Sequence, residues 1–344
     1  MSNVATSRGV RPLRIIVATI LGLTFGICLI GILLTGPIVI RLNPAIDVDV
    51  DVSPTRLQAT VETLCTEFFP RDHLHSDNLE RAADWIGQRF RAAGLEVEDQ
   101  PYEGSGGVFR NVIARRPGFD DSRGAIVIGA HYDTFGEFPG ADDNASGVAA
   151  LIELAETLPH GANHATHYFV AFGTEEPPYF RSDEMGSYVF ARTLKERGVD
   201  VAVMISLDMV GYFSDSSNSQ GFPFGPLAFL YPDTGNFIAI VGDTRSGPTI
   251  ERVKLAMAST EAIEVHSFRA PTRVRGVDWS DHLSFRRLGY PAVLVTDTSF
   301  MRNPHYHKAS DTPSTLDYRR LSQVVVALHG VLWERRDDPD PASP

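Results

Sequence analysis

Ala125-Ile-Val-Ile-Gly-Ala130, followed at once by His131-Tyr-Asp133, is the stretch on which the fold reading turns. Six apolar residues in a row do not alternate, so they describe a strand covered on both faces. Such strands belong to parallel sheets packed between helices. Outward from it, His167–Phe172 and Val201–Leu207 are two more apolar runs of strand length. Helical patterns over Ala145–Leu158 and Asp183–Arg197 separate them. This alternation predicts an α/β fold: a mostly parallel mixed central sheet with helices on both faces.

The rest of the chain extends the pattern. A helical pattern begins at Ser53. Leu79–Gly94 places Leu79, Ala82, Ala83, Ile86 and Phe90 on one face, with Ser76-Asp-Asn ahead as a cap and Gly94 as a stop. Asn111–Arg115, Leu227–Tyr231, Phe237–Val241 and Ala292–Thr296 read as strands, the middle two around a Pro-Asp-Thr-Gly turn. Pro248–Ser259, Ser280–Leu288 and Tyr318–Trp333 read as helices. No repeat and no linker follows residue 53, so one domain over 53–336 is expected, with a disordered tail over 337–344. Pro177–Asp183 and Ser214–Gly225, rich in turn residues, are expected as active-site loops.

Ile15 to Ile40 holds no charged residue, longer than the about 20 residues that cross a hydrocarbon core. A transmembrane anchor over 15–36 is expected, ending at Gly36-Pro37, with a short cytoplasmic N-terminus over 1–14 and a spacer over 37–52. Arg8, Arg11 and Arg14 precede it and only Arg41 follows closely, which places the large domain on the periplasmic or extracellular side. A cleaved signal peptide would have a shorter apolar core and an Ala-x-Ala site. Lipid attachment at Cys28 is poorly served by Ile27. Cys28 and Cys65 are the only cysteines and lie too far apart in character to suggest a disulfide.

Net charge is −12, and all four charged residues before position 42 are arginines, so the remainder carries −16. An acidic domain repels phosphate backbones, which argues against nucleic acid as a partner. Bound divalent cations would offset part of that charge.

Open parallel sheets bind ligands beyond the carboxyl ends of their strands. His131 follows one apolar run, Glu175 and Glu176 another, and Asp208 a third. Asp143 stands just before a helix expected near Ala145, whose N-terminal amides favour its ionised form. With His307, the set holds two imidazoles and at least three carboxylates, which is what two zinc ions need if one carboxylate bridges them. Glu175 and Glu176 are adjacent, so one can face metal while the other reaches a water as general base. Asp133, two residues after His131, can hold its other ring nitrogen and fix the tautomer.

His131-Tyr-Asp133, Gly140-Ala-Asp-Asp-Asn-Ala-Ser-Gly147, Glu175-Glu176, Leu207-Asp208-Met209 and His307-x-x-x-Asp311-Thr312 together resemble metallopeptidase family twenty-eight, the co-catalytic di-zinc aminopeptidases. The resemblance runs from about Asn111 to Tyr318. It implies that His131 and Asp208 hold one zinc, that Glu176 and His307 hold the other, and that Asp143 bridges. It also implies a peptide substrate and Glu175 as the base that activates a metal-bridging water. Relatives include glutamate carboxypeptidases and glutaminyl cyclases, so a carboxypeptidase or a one-zinc acyltransferase is the alternative, with a non-catalytic ectodomain behind both. The insertion Pro177–Glu184 and the anchor depart from the simplest members.

Rivals exist for several positions. Asp142 competes with Asp143 as the bridge and reads otherwise as a helix cap. His305 competes with His307, whose spacing to Asp311-Thr312 is the better match. Ser280-Asp281-His282 reads as a helix cap with polar pocket-wall groups rather than as a triad. His160, His164 and His167 read as solvated. Arg181, Arg269 and Arg302 could pair a substrate carboxylate but read as exposed structural residues.

Overall fold

The computed structural model describes residues 45–159 and 164–337, with isolated positions between 16 and 35. The expected anchor and tail therefore lie outside the described residues, apart from those positions and Asp337, which ends the last helix. Among the described residues, no helix is long and apolar enough to cross a membrane.

In chain order the elements are α1 (Pro54–Thr66), α2 (Ser76–Ala92), β1 (Glu96–Gly104), β2 (Gly107–Arg116), β3 (Ala125–His131), α3 (Gly147–Glu156), β4 (His167–Phe172), α4 (Gly186–Glu196), β5 (Val201–Leu207), β6 (Ile238–Gly242), α5 (Gly247–Ser259), β7 (Val265–Arg269), α6 (His282–Arg287), β8 (Ala292–Thr296) and α7 (Tyr318–Asp337). One eight-stranded sheet runs β1-β2-β4-β3-β5-β8-β6-β7. The central strands β4, β3, β5 and β8 are mutually parallel. The hairpin β1-β2 joins β4 antiparallel, and the parallel pair β6-β7 joins β8 antiparallel.

Every residue of β3 is buried, as a strand inside a two-sided sheet requires. On one face Ile126, Ile128 and Val203 pack with Leu57, Ile86, Leu151 and Leu328 from four helices. On the other, Val127, Val170 and Met204 pack with Phe190 of α4 and Phe285 of α6. Burying both faces is what makes the runs continuous rather than alternating.

The strands β4, β5 and β8 match the expected residues. Leu227–Tyr231 does not: it overlaps a short 3-10 turn over Gly225–Phe229 and pairs with no strand of the sheet. The strands β1 and β7 were not expected. Both are edges, and β1 is largely exposed and contains Pro101, so neither needs an apolar run. The helix α2 begins at Ser76 itself, with His75 as the preceding residue and no side-chain cap.

Candidate metal centre

Parallel β3, β4, β5 and β8 all end at one edge of the sheet, and the candidate ligands collect there. His131 is the last residue of β3, fully buried. Glu175 and Glu176 lie just past β4, and Asp208 just past β5. An irregular turn over Ala141–Ser146 supplies Asp143. His307 arrives from the loop between β8 and α7.

The distances divide the set in two around Asp143. His131 Nε2 lies 3.4 Å from Asp143 Oδ1 and 3.6 Å from Asp208 Oδ1. His307 Nε2 lies 3.0 Å from Asp143 Oδ2 and 3.4 Å from Glu176 Oε1. Both groups, His131-Asp143-Asp208 and Asp143-Glu176-His307, keep their ligand atoms within 4.8 Å of one another. Bonds of about 2.1 Å at a tetrahedral angle put ligand atoms about 3.4 Å apart, so these spacings fit zinc. The donor chemistry agrees: His131 Nε2 and Glu176 Oε1 are buried with no hydrogen-bond partner, and a buried orphan of this kind calls for an explanation. Among the described residues, no Lys or Arg forms an ion pair with these carboxylates to balance them.

The electrostatics follow from that surplus. Burial drives the Glu175 carboxyl well above its usual range; Glu176 and Asp208 add repulsion, and His131 offsets part of it. Burial and Asp143 push Glu176 up to about 7 against the pull of His307. For His307, burial disfavours the cation, but Asp143 and Glu176 overcome it and raise the imidazole to about 10. Asp143 is also penalised by burial, yet the imidazoles of His131 and His307 beside it hold it below the carboxylate range. Those imidazoles, rather than the helix amides expected from the sequence, keep it ionised, because α3 starts only at Gly147.

Side chains behind the ligands set their positions. Asp133 touches His131 Nδ1 with its carbonyl at 3.2 Å and its carboxylate at 3.3 Å. The same carboxylate accepts from Glu175 N at 3.1 Å and Glu176 N at 3.0 Å. Asp133 therefore registers three site residues, more than the tautomer role expected of it. Asp311 accepts from Asp142 N and Asp143 N at 2.9 and 3.1 Å. Asn144 donates to Leu207 O at 2.8 Å and accepts from Met209 N at 3.2 Å, clamping both sides of Asp208. Thr174, Met209 and His307 have positive φ of 52°, 52° and 53°, the backbone strain that collects at functional sites. The His307 ring is sandwiched between Phe135 at 3.9 Å and Tyr306 at 3.8 Å.

Arg71 escaped sequence reading altogether. It is 1% exposed and donates to the carbonyls of Leu64, Tyr132, Pro139 and Gly140, tying α1 to the two segments that carry His131 and Asp143. An arginine in a loop gives no sequence signal for such a role, since the partners are backbone carbonyls.

The rivals resolve by position. Asp142 stands outside both ligand groups. It accepts from Gly211 N at 2.9 Å and Asn303 Nδ2 at 2.7 Å, so it links loops and caps no helix. His305 meets Ser310 Oγ at 2.9 Å, away from the ligands. Ser280 pairs with Ser206 and His282 with Val277 O, so no triad forms. Asp281 caps nothing and, like its neighbours, lies buried behind the cavity rather than on its wall. Arg181 pairs with Asp278. Arg302 is not exposed: it is buried on Gln220 Oε1 at 3.0 Å and Phe237 O at 2.9 Å. His167 is buried in β4, not solvated; His164 packs against Phe119 with the rings tilted, and His160 lies outside the described residues.

The site opens into a cavity of about 430 Å³ that includes Asp143, Glu175, Glu176, Asp208 and His307 in its lining. Its other walls are largely apolar, from Met209 and Phe237 to Leu294 and Trp279, and both expected loops contribute, through Pro177 and Phe180 and through Gln220 to Pro223.

The sequence pattern of Peptidase family M28 matches residues 111–331. YfbL of Escherichia coli K12, a protein of uncharacterized function, is 39% identical over 292 residues, covering 83% of this chain and 89% of its own. A probable leucine aminopeptidase of Trichophyton verrucosum is 28% identical over 237 residues, 64% of this chain and 55% of that relative, so the chain spans little more than half its length. LapB from Legionella pneumophila shares the fold, with a TM-score of 0.66 at 20% identity over 84% of this chain and 73% of its own. The chain belongs to Peptidase family M28 and is a metallopeptidase.

Proposed function

We propose that the protein is a membrane-anchored di-zinc exopeptidase acting as an aminopeptidase. The observation that carries the reading is the division of Asp143, with Oδ1 toward His131 and Oδ2 toward His307, while Glu175 faces the same cavity outside both ligand groups. His131 and Asp208 would hold one ion in this reading and Glu176 and His307 the other, with Asp143 common to both ligand groups. Bound there, the ions would supply polarisation of the scissile carbonyl and a lowered pKa for the attacking water.

The chain's own residues do the rest. Glu175 takes the proton from the water as it attacks the carbonyl carbon and returns it to the leaving amine nitrogen. Asp133, holding the backbone amides of both glutamates, limits where that carboxyl can swing. The acidic floor attracts the α-ammonium of a peptide, which a blocked N-terminus lacks. Met209, Phe237 and Leu294 offer an apolar seat for the first side chain and exclude water. Support for the anchor over 15–36, with the catalytic domain outside the cytoplasm, is the charge-free stretch behind three arginines.

The test is zinc content of the purified full chain together with hydrolysis of free and N-blocked peptides. Two zinc per chain with cleavage of free N-termini alone is expected. Cleavage of blocked peptides from the C-terminus would favour a carboxypeptidase. Arg275 is the only Arg or Lys among the described cavity-lining residues, and it would then receive the substrate carboxylate. One zinc or none, without hydrolysis, would refute the proposal.

A further inference from the structure

We infer that the edge of the sheet carrying the metal centre faces the lipid bilayer, with the loop Gly221–Tyr231 seated on the lipid surface. The inference rests on the anchor reading above and adds to it an orientation and a contact surface.

The loop is unusual in composition. Gly221-Phe-Pro-Phe-Gly-Pro-Leu-Ala-Phe-Leu-Tyr231 contains no charged residue and three phenylalanines. Its side chains divide between two sides. Phe222, Pro223, Leu227 and Tyr231 line the cavity, and Tyr231 donates to Ser267 O of β7 at 2.6 Å. Phe224 and Leu230 are partly exposed and Phe229 is 91% exposed. A nearly bare phenylalanine on an uncharged loop gains nothing in water, whereas the headgroup boundary of a bilayer takes such side chains in.

Topology brings the membrane to the same place. The strand β6 is antiparallel to β8, so it starts at the edge where β8 ends, which is the edge of the metal centre. The loop precedes β6 and therefore lies at that edge. So does the start of β7, which parallels β6. Ile46 N donates to Ser259 O at 2.8 Å, at the last residue of α5, just before β7. Ten Cα–Cα steps separate Gly36 from Ile46, a reach of at most about 35 Å. A chain leaving the bilayer at Gly36 thus arrives at the catalytic edge, beside the loop. Two described positions near the end of the apolar segment lie beside the loop and against the middle of β7 and its preceding helix. The Thr35 carbonyl accepts from Lys254 Nζ at 3.2 Å and from Ser267 Oγ. A Cβ placed on Gly31 would stand 3.4 Å from Leu230 Cδ2. The loop is then the wall between lipid and cavity, and peptides lying at the membrane surface enter past it.

The experiment uses the full chain reconstituted in phosphatidylcholine vesicles whose acyl chains carry bromine near the headgroup, which quenches nearby tryptophan. Phe229→Trp adds a reporter on the loop. Phe119→Trp adds one that is also exposed, ahead of β3 at the opposite edge of the sheet. The unsubstituted chain gives the background of its three native tryptophans. The added emission of Phe229→Trp should be quenched at least about twofold more than that of Phe119→Trp. Equal quenching, or none, with the chain still held in the vesicles after a carbonate wash overturns the inference and leaves the anchor standing. A chain released by the wash overturns the anchor, and this inference with it.

Discussion

Replacing Arg71 by Met tests whether a single buried guanidinium holds the metal-site segments in register. Its head group is wholly buried and donates to four carbonyls, with Asp133 and Asp311 near enough to favour its charge. Methionine keeps the apolar stem and removes every donor. A buried acceptor left without a partner costs about 1–3 kcal/mol. Four at the low end give a loss of about 4 kcal/mol, lessened somewhat because no cation is then buried. For a domain of this size that is a fall in Tm of roughly 8 °C. Two of the carbonyls belong to Tyr132 and Gly140, beside His131 and at the start of the turn carrying Asp143, so metal affinity should fall as well, by about 10–100-fold. Calorimetry of wild type and Arg71→Met in chelator isolates the folding part, and zinc titration against a competing chelator isolates the metal part. Arg71→Lys, with fewer donors and no planar fork, should fall between them. A Met variant with wild-type Tm and wild-type zinc affinity would refute the reasoning.

Other expectations follow from the same contacts. Glu175→Gln should lower kcat by about 10²–10⁴ while zinc content stays at the wild-type value, since Glu175 lies outside both ligand groups; wild-type turnover would remove it as the base. Asp133→Asn keeps the shape but turns one acceptor into a donor facing a backbone N–H, so zinc should bind about 10–100-fold more weakly, as read by competition with a chelator. His329, buried against Thr157, is held at about 4 by burial, so between about pH 6.5 and 4 the unfolded chain takes up a proton that the folded chain refuses. Stability is therefore lost as pH falls through that window, by about 1.4 kcal/mol per pH unit, and urea unfolding of His329→Gln beside wild type should show a shallower decline; parallel curves would count against it. Gly129→Ala places a methyl 2.2 Å from the Phe172 ring and should cost about 1–3 kcal/mol in the same assay.

Much of the catalytic edge is legible in the amino-acid sequence alone. The runs at β3, β4 and β5 are apolar because both faces are buried, and a parallel sheet puts all their ends together, so His131, Glu175, Glu176 and Asp208 had to meet. Edge elements were not legible in this way. The strand β1 is largely exposed and shows no apolar run, and Leu227–Tyr231 looked like a strand because its apolar residues serve a cavity wall and an outer surface instead of a sheet. Local pattern records burial, and it cannot say what does the burying.

The central strands, most of the helices between them and the ligand types are written in periodicity and in residue chemistry, both properties of short stretches, and the sequence by itself determined them. Only the tertiary structure decided how Asp143 divides its two oxygens, that Asp133 holds three residues at once and that Arg71 spans three segments. It alone also decided that the loop before β6 lies at the catalytic edge. Each of these joins residues far apart in the chain through contacts of a few ångströms, and such distances are set by packing, not by spacing along the backbone.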